Sequence, residues 1–344
     1  MQHVNIALLG MGRIGKIHFK NITQRLKNAS VIAVADPQLD EAGFANQYGT
    51  SARFFRDPEE AIGHPEVNAV LVCTPTTTHC DLVEKAAAAG KAIFCEKPLD
   101  LSLERTAALV SRVEETGVPL MLGFNRRFDP DFMQARQSVA AGRVGDVHIV
   151  KITSRDPGLP PIDYIRNSGG LFMDMAIHDF DMARYISGKK VVEVYAKGLV
   201  LHDSTVADAG DIDTALTTLI FEDGTCAVID NSRKAAYGYD QRLEIFGSNG
   251  MIQVENNQHH RNIVSDADGI HHALPLDFFM DRYEKSYLKE IELFIDALLY
   301  NKKMPVSGND ALQATLIATA AKLSVEKGRP VKLAEIEAGM LENV

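Results

Sequence analysis

The chain is short of cysteine, of long apolar runs and of basic charge, and each shortage excludes something. Its four cysteines, Cys73, Cys80, Cys95 and Cys226, form no CxxC pair and complete no zinc-ligand pattern. No metal is expected, and buried, reduced thiols suit a reducing cytoplasm. No apolar stretch is long enough to span a bilayer. The opening segment has no basic n-region and an apolar run of only strand length, so no signal peptide is expected. The expected location is therefore cytoplasmic, with no membrane partner. Lys and Arg number 36 against 46 Asp and Glu, a formal net charge of -10. An acidic chain without a basic stripe repels phosphate backbones, which argues against a nucleic-acid partner.

What is present is an ordinary globular composition, 46% hydrophobic and 24% charged, in 344 residues. That length favours two domains. In the first third, short apolar runs alternate with helical patterns. Strands are expected at Val4–Leu9, Val31–Ala35, Val67–Cys73, Ala92–Cys95 and Pro119–Gly123. Helices are expected at Lys16–Leu26, Ala42–Tyr48, Asp81–Ala89 and Leu103–Thr116. This alternation predicts parallel βαβ units in a doubly wound sheet. Beyond Asn125 a helix at Asp131–Ala141 precedes strands at Val147–Ser154, Val191–Leu201, Thr214–Phe221, Cys226–Asn231, Arg242–Phe246 and Met251–Glu255. Turn signals at Phe221–Thr225 and Gly247–Gly250 join consecutive strands. Helices at Tyr283–Leu299 and Asp310–Lys327 close the chain. The fold class predicted is α/β: a Rossmann domain over residues 1–124 and an α+β domain over 125–344 with a large, mostly antiparallel open sheet.

Gly10-Met-Gly12-Arg-Ile-Gly15 is a GxGxxG sequence between a predicted strand and a predicted helix. The first glycine permits the turn, the second lets backbone approach a pyrophosphate, and the third allows close helix–strand packing. The helix N-terminus then offers N–H groups to the phosphates. Gly10, Gly12, Arg13, Ile14 and Gly15 are the expected loop contacts. Asp36 ends the second strand about twenty residues on, where a carboxylate accepts from a ribose diol. No arginine follows to welcome a 2′-phosphate, which favours NAD over NADP.

Three further strand ends or turns carry polar residues. Thr74, Pro75 and His79 follow one strand; they reach cofactor or cap the next helix. Glu96-Lys97-Pro98 follows the next strand and faces the same crevice, with Glu96 and Lys97 expected among the cofactor contacts and Pro98 a candidate cis residue. Lys97 either polarises a substrate oxygen or pairs with Glu96 on the surface. Asp174 and His178 stand four apart, on one face if helical, with Asp181 three further on. They read as a proton-transfer pair, a surface ion pair, a buried hydrogen-bonded histidine, or part of a metal site with no evident third ligand.

Gly10–Gly15, Asp36 and above all Phe94-Cys-Glu-Lys-Pro-Leu99 resemble the glucose–fructose oxidoreductase/inositol dehydrogenase family. Lys97, Asp174 and His178 match that family's three-part set in identity and order, and the resemblance covers nearly the whole chain. It implies NAD as cofactor, Lys97 touching cofactor and substrate, and His178 as acid/base. Gly123–Asp129 is similar to the family's GFxRRF segment, which gives Arg126 a substrate role and leaves Arg127 a structural ion pair. Segments at 152–157, 177–184 and 230–242 are similar to the family's inositol-oxidising branch. By that resemblance Asp156 and Tyr237 contact ring hydroxyls, while Tyr239, Tyr283 and Tyr287 are weaker candidates that also fit a core role. The implied reaction is oxidation of myo-inositol to its 2-keto product, in inositol catabolism. Another inositol isomer or an aldose is the near alternative. A non-catalytic sensor of NAD or sugar on the same fold is the distant one. The family's habit of burying an open sheet face between subunits implies a homo-oligomer, with a tetramer favoured.

Overall fold

The computed structural model describes residues 2–48 and 51–341. By internal contacts the chain forms two compact units, Met1–Phe128 with Lys285–Thr315, and Asp129–Glu284 with Leu316–Val344.

The first unit begins β1 (Val4–Leu9), α1 (Arg13–Arg25), β2 (Ala29–Ala35), α2 (Glu41–Tyr48), β3 (Arg53–Phe55), α3 (Pro58–Ile62) and β4 (Ala69–Val72). It continues α4 (His79–Ala88), β5 (Ala92–Glu96), α5 (Leu103–Thr116) and β6 (Leu120–Gly123). The strands form one six-stranded sheet in the order β3-β2-β1-β4-β5-β6, every pairing parallel. β4 is buried at every position, as expected of a strand covered on both faces. The order reverses between β1 and β4, and ligand crevices open at such switch points beyond the strand C-termini. Local chemistry sets the helix limits. Ser102 caps α5 by accepting from the Arg105 N–H, and Gly117 ends it with φ +70°. Asp57 caps α3 ahead of Pro58.

The second unit begins α6 (Pro130–Ala140), β7 (Val147–Arg155), α7 (Ile162–Asn167), α8 (Ile177–Ser187), β8 (Val191–Leu199) and α9 (Ser204–Asp208). β9 (Thr214–Phe221), β10 (Cys226–Ser232), β11 (Asp240–Gly247) and β12 (Gly250–Val254) follow, then the hairpin β13 (Ile263–Asp266) and β14 (Gly269–His272) and the short α10 (Phe279–Arg282). α11 (Glu284–Leu299) lies in the first unit apart from its first residue, and α12 (Gly308–Lys327) is shared between the units. β15 (Val331–Lys332) and α13 (Leu333–Leu341) end the described chain. The seven-stranded sheet runs β12-β11-β7-β10-β9-β8-β15. Only the β7–β10 pairing is parallel. Alternation places Val150, Ile152, Val194, Ala196, Leu219, Ile229 and Ile245 in the core. The opposite face leaves Val192, Tyr195, Leu216 and Phe246 exposed.

The predicted fold class holds in both units. β3, α3, α7, α9, the β13–β14 hairpin, α10, β15 and α13 were not anticipated, and all but α13 are too short to show a period.

Candidate active site

The glycine loop is shaped by contacts that only glycine tolerates. Gly10 sits at φ +88°, and a Cβ there would lie 2.7 Å from the Cys73 carbonyl oxygen. A Cβ on Gly15 would lie 2.0 Å from the Gly10 carbonyl oxygen. Gly12 differs: nothing lies within 4 Å of the position its Cβ would take, and no side chain caps α1 there. The open space and the uncapped N–H groups make a cradle that fits a pyrophosphate. Arg13 and Ile14 open α1 beside it. Asp36 Oδ2 accepts from the Met11 N–H at 2.7 Å, and Oδ1 from the Gln38 N–H at 2.8 Å. The acid is thus held at the loop while lone pairs remain for a ribose diol.

Thr74 and Pro75 follow β4, and the Thr74 hydroxyl accepts from Thr78 at 2.7 Å. His79 departs from the expected cofactor contact. It is buried, with Nε2 2.8 Å from the Thr74 carbonyl oxygen and Nδ1 2.8 Å from that of Pro98. The ring lies between the β4 and β5 loops, and burial lowers its pKa, so the neutral ring donates its one N–H to either carbonyl. Glu96 also turns inward, to His18 Nε2 at 2.8 Å, where the sequence placed it among cofactor contacts. Lys97 follows at the end of β5, half-buried, and the Lys97–Pro98 bond is cis. Arg126 and Arg127 are both buried; Arg127 pairs with Asp310 at 2.9 Å, the structural ion pair expected of it.

In the second unit Asp174 lies in a π-type turn, Phe172–Ala176, and His178 in the α-helix that follows. The wider turn alters the four-apart alignment expected of one regular helix, and such turns are frequent at functional sites. Asp174 Oδ1 accepts from the Tyr164 hydroxyl at 2.8 Å and Oδ2 from Arg233 Nη1 at 3.1 Å. Arg233 is 1% exposed and also reaches Asp211 Oδ2 at 3.4 Å. Asp211 in turn accepts from the Leu171 N–H, next to the turn. Asp181 is buried and lies 4.0 Å from Arg184. Arg233, Asp211 and Tyr164 around Asp174 were not singled out from the sequence: Arg233 and Asp211 lie far along the chain from it, and Tyr164, ten residues before it, shares no helical spacing with it.

Asp156 stands where β7 and β10 end. Its N–H donates to the Ser232 carbonyl and its own carbonyl accepts from Ala235. The Tyr237 hydroxyl accepts from Arg155 at 2.9 Å and donates to Asp240 Oδ2 at 2.6 Å. Burial, followed by Asp240, raises the Tyr237 pKa. Burial would raise Asp240, but hydrogen bonds from Arg242, Tyr237 and Asn256 outweigh it and hold the carboxyl below its usual range. Tyr239, Tyr283 and Tyr287 are buried. Tyr239 and Tyr283 pack edge to face, and Tyr287 packs against His18.

A parallel sheet with this loop and acid defines an NAD-binding Rossmann oxidoreductase. Residues 4–124 match the description "Oxidoreductase family, NAD-binding Rossmann fold". Residues 132–253 match "GFO/IDH/MocA C-terminal domain". The chain is 47% identical to the inositol 2-dehydrogenase of Rhizobium meliloti (strain 1021), over 96% of this chain and 99% of that one. It is 45% identical to the myo-inositol 2-dehydrogenase of Thermotoga maritima, over 97% and 99%. The crystal structure of scyllo-inositol dehydrogenase from Lactobacillus casei with bound NAD(H) and scyllo-inositol superposes with a TM-score of 0.90 at 31% identity, covering 96% of this chain and 99% of that one. This chain belongs to the GFO/IDH/MocA family of NAD-dependent oxidoreductases. Among the described residues no helix is long and apolar enough to cross a membrane.

Proposed function

We propose that the chain oxidises myo-inositol at its 2-hydroxyl to the ketone, scyllo-inosose. The observation that carries this is identity of 45% and 47% over nearly the whole chain with two enzymes named for that reaction; the order of Lys97, Asp174 and His178 resembles the family pattern and supports the same reading. The reaction removes a hydride from the ring carbon and a proton from its oxygen; bound NAD supplies the hydride acceptor. His178 takes the hydroxyl proton as general base. Lys97 donates to the reacting oxygen and stabilises its developing charge. Asp174, aligned by Tyr164 and Arg233, orients the histidine or a neighbouring hydroxyl. Arg126, Asp156 and Tyr237 complete the donors and acceptors a polyhydroxylated ring requires. Residues 1–124 hold the cofactor with Gly10, Gly12, Arg13, Ile14, Gly15, Asp36, Thr74 and Pro75, while His79 and Glu96 steady the loops behind it. Residues 125–344 supply the substrate side and the subunit contacts.

The exposed Val192, Tyr195, Leu216 and Phe246 on one sheet face support a homo-oligomer, a tetramer by family habit. Cytoplasmic inositol catabolism is the setting proposed. Light scattering on the purified chain checks the subunit number.

Formation of reduced nicotinamide with myo-, scyllo- and chiro-inositol, glucose, galactose and xylose, each with NAD and with NADP, tests the activity. Turnover of myo-inositol with NAD is expected, with loss of about 100- to 10,000-fold in His178→Ala. Preference for scyllo-inositol, favoured by the Lactobacillus casei neighbour, would move the substrate and keep the mechanism. NAD binding without any turnover would favour a sensor.

A further inference from the structure

Three ionisable side chains meet inside the first unit in a cluster that the proposed chemistry does not use. His18 of α1, Glu96 at the end of β5 and Glu290 of α11 each bring a ligand-type atom within 4.8 Å of the others. His18 Nε2 lies 2.8 Å from Glu96 Oε1 and 3.8 Å from Glu290 Oε1. His18 and Glu290 are wholly buried. The imidazole is fixed edge-on between Phe94 and Tyr287.

Glu290 is the member that demands explanation. Among the described residues neither of its oxygens has a hydrogen-bond partner. The nearby imidazole nitrogen is already engaged by Glu96. An ionised Glu290 would be an unpaired buried anion beside a second carboxylate, whereas the neutral acid avoids both penalties. An ionised Glu290 would also compete with Glu96 for His18. A metal ion fits the cluster less well than a proton does. It would have to replace the 2.8 Å contact between His18 and Glu96. The second Glu96 oxygen packs so closely on Gly123 that a Cβ there would stand 2.9 Å from it.

We propose that Glu290 is a neutral carboxylic acid that backs the His18–Glu96 pair and so acts as a positioning residue for Lys97, the next residue after Glu96. This rests on the substrate-facing role proposed for Lys97. Neutrality leaves His18 on Glu96, which anchors the strand end carrying the lysine. Burial first, then the charge of Glu96, pushes the Glu290 carboxyl well above its ordinary range. The other titratable groups facing it are His18 from α1, Glu96 from β5 and, at the end of β4, Cys73. Burial, Glu96, Cys95 and Glu290 raise the Cys73 thiol in turn.

The first test is thermal unfolding of the full chain, wild type and Glu290→Gln, from about pH 5 to pH 9. A group whose pKa is raised by folding keeps its proton in the fold and releases it on unfolding. Its contribution is complete below the ordinary carboxyl pKa and is lost as pH rises through the folded value. The wild type should therefore lose stability with rising pH relative to Glu290→Gln, whose midpoint gains on it steadily toward the alkaline end. Parallel curves, or a gap that moves in favour of the wild type as pH rises, would overturn the proposal. The second test is turnover of myo-inositol. Glu290→Ala should lower kcat by about ten- to a hundred-fold through a displaced lysine, with NAD affinity nearly unchanged and with rescue by Glu290→Gln. Loss equally severe in both variants would overturn it. So would a stoichiometric metal ion in the wild type that vanishes in Glu290→Gln. If the wild type does not turn over myo-inositol, the proposed substrate fails, while the unfolding curves still decide the state of Glu290.

Discussion

Asp36 Oδ2 accepts from the Met11 N–H at 2.7 Å, so the acid that follows β2 is tied to the loop that follows β1. One carboxylate therefore serves two tasks. It fixes the backbone between Gly10 and Gly12, and it presents negative charge where the adenosine ribose is expected.

Cofactor choice should follow that carboxylate. Asp36→Ala removes charge-assisted hydrogen bonds worth about 1.5–3 kcal/mol, so kcat/KM with NAD should fall roughly 10- to 100-fold. NADP should be penalised less, because the repulsion of its 2′-phosphate disappears with the charge. Steady-state rates with both cofactors check this. An unchanged NADP-to-NAD ratio would remove Asp36 from cofactor selection.

The three loop glycines should separate stability from binding. Gly15→Ala puts a Cβ 2.0 Å from the Gly10 carbonyl oxygen, and displaced backbone should cost roughly 2–4 kcal/mol. Gly10→Ala adds a left-handed backbone penalty of about 1–2 kcal/mol to its own clash. Gly12→Ala meets nothing within 4 Å, so stability should stay within about 0.5 kcal/mol while NAD affinity drops at least about ten-fold. Urea unfolding and NAD titration of the three variants give both quantities. A destabilised Gly12→Ala that still binds NAD would contradict the cradle.

Long periodic elements were legible in the sequence. Val4–Leu9, Leu103–Thr116 and Thr214–Phe221 form over the expected residues, because an apolar run broken only by Asn5, helical spacing with a Gly stop, and a Thr-rich apolar stretch ended by a turn signal each leave one reading. The glycine loop was equally legible, since each glycine answers a local steric demand. What stayed hidden depends on partners far apart in the chain. Nothing near His79 announces that its ring lies between the Thr74 and Pro98 carbonyls. Nothing near Glu96 points to His18, 78 residues away. The sequence placed Asp174 and His178 together by spacing. The π-type turn between them, and the pairing of Asp174 with Arg233, come from the fold of the second unit.

Arg233 should prove as important as Asp174 itself. It is 1% exposed and lies between Asp174 and Asp211, whose side chains are 14% and 10% exposed. Arg233→Met keeps much of the volume but takes the shared cation from two carboxylates, which keep hydrogen bonds from Tyr164 and Leu171, so the loss should be about 2–4 kcal/mol, somewhat below that of a fully buried pair left with one partner. Asp211→Asn alone should be mild, because Arg233 retains Asp174. Adding Asp211→Asn to Arg233→Met should recover part of the loss, since one stranded charge is then gone. A double-mutant cycle by urea unfolding measures that coupling. In the same variants kcat should follow the Asp174–Arg233 contact: little changed in Asp211→Asn, depressed in both variants that lack Arg233, and unrecovered by the second substitution. Recovery of kcat along with stability would mean that Arg233 supports the fold without aligning Asp174.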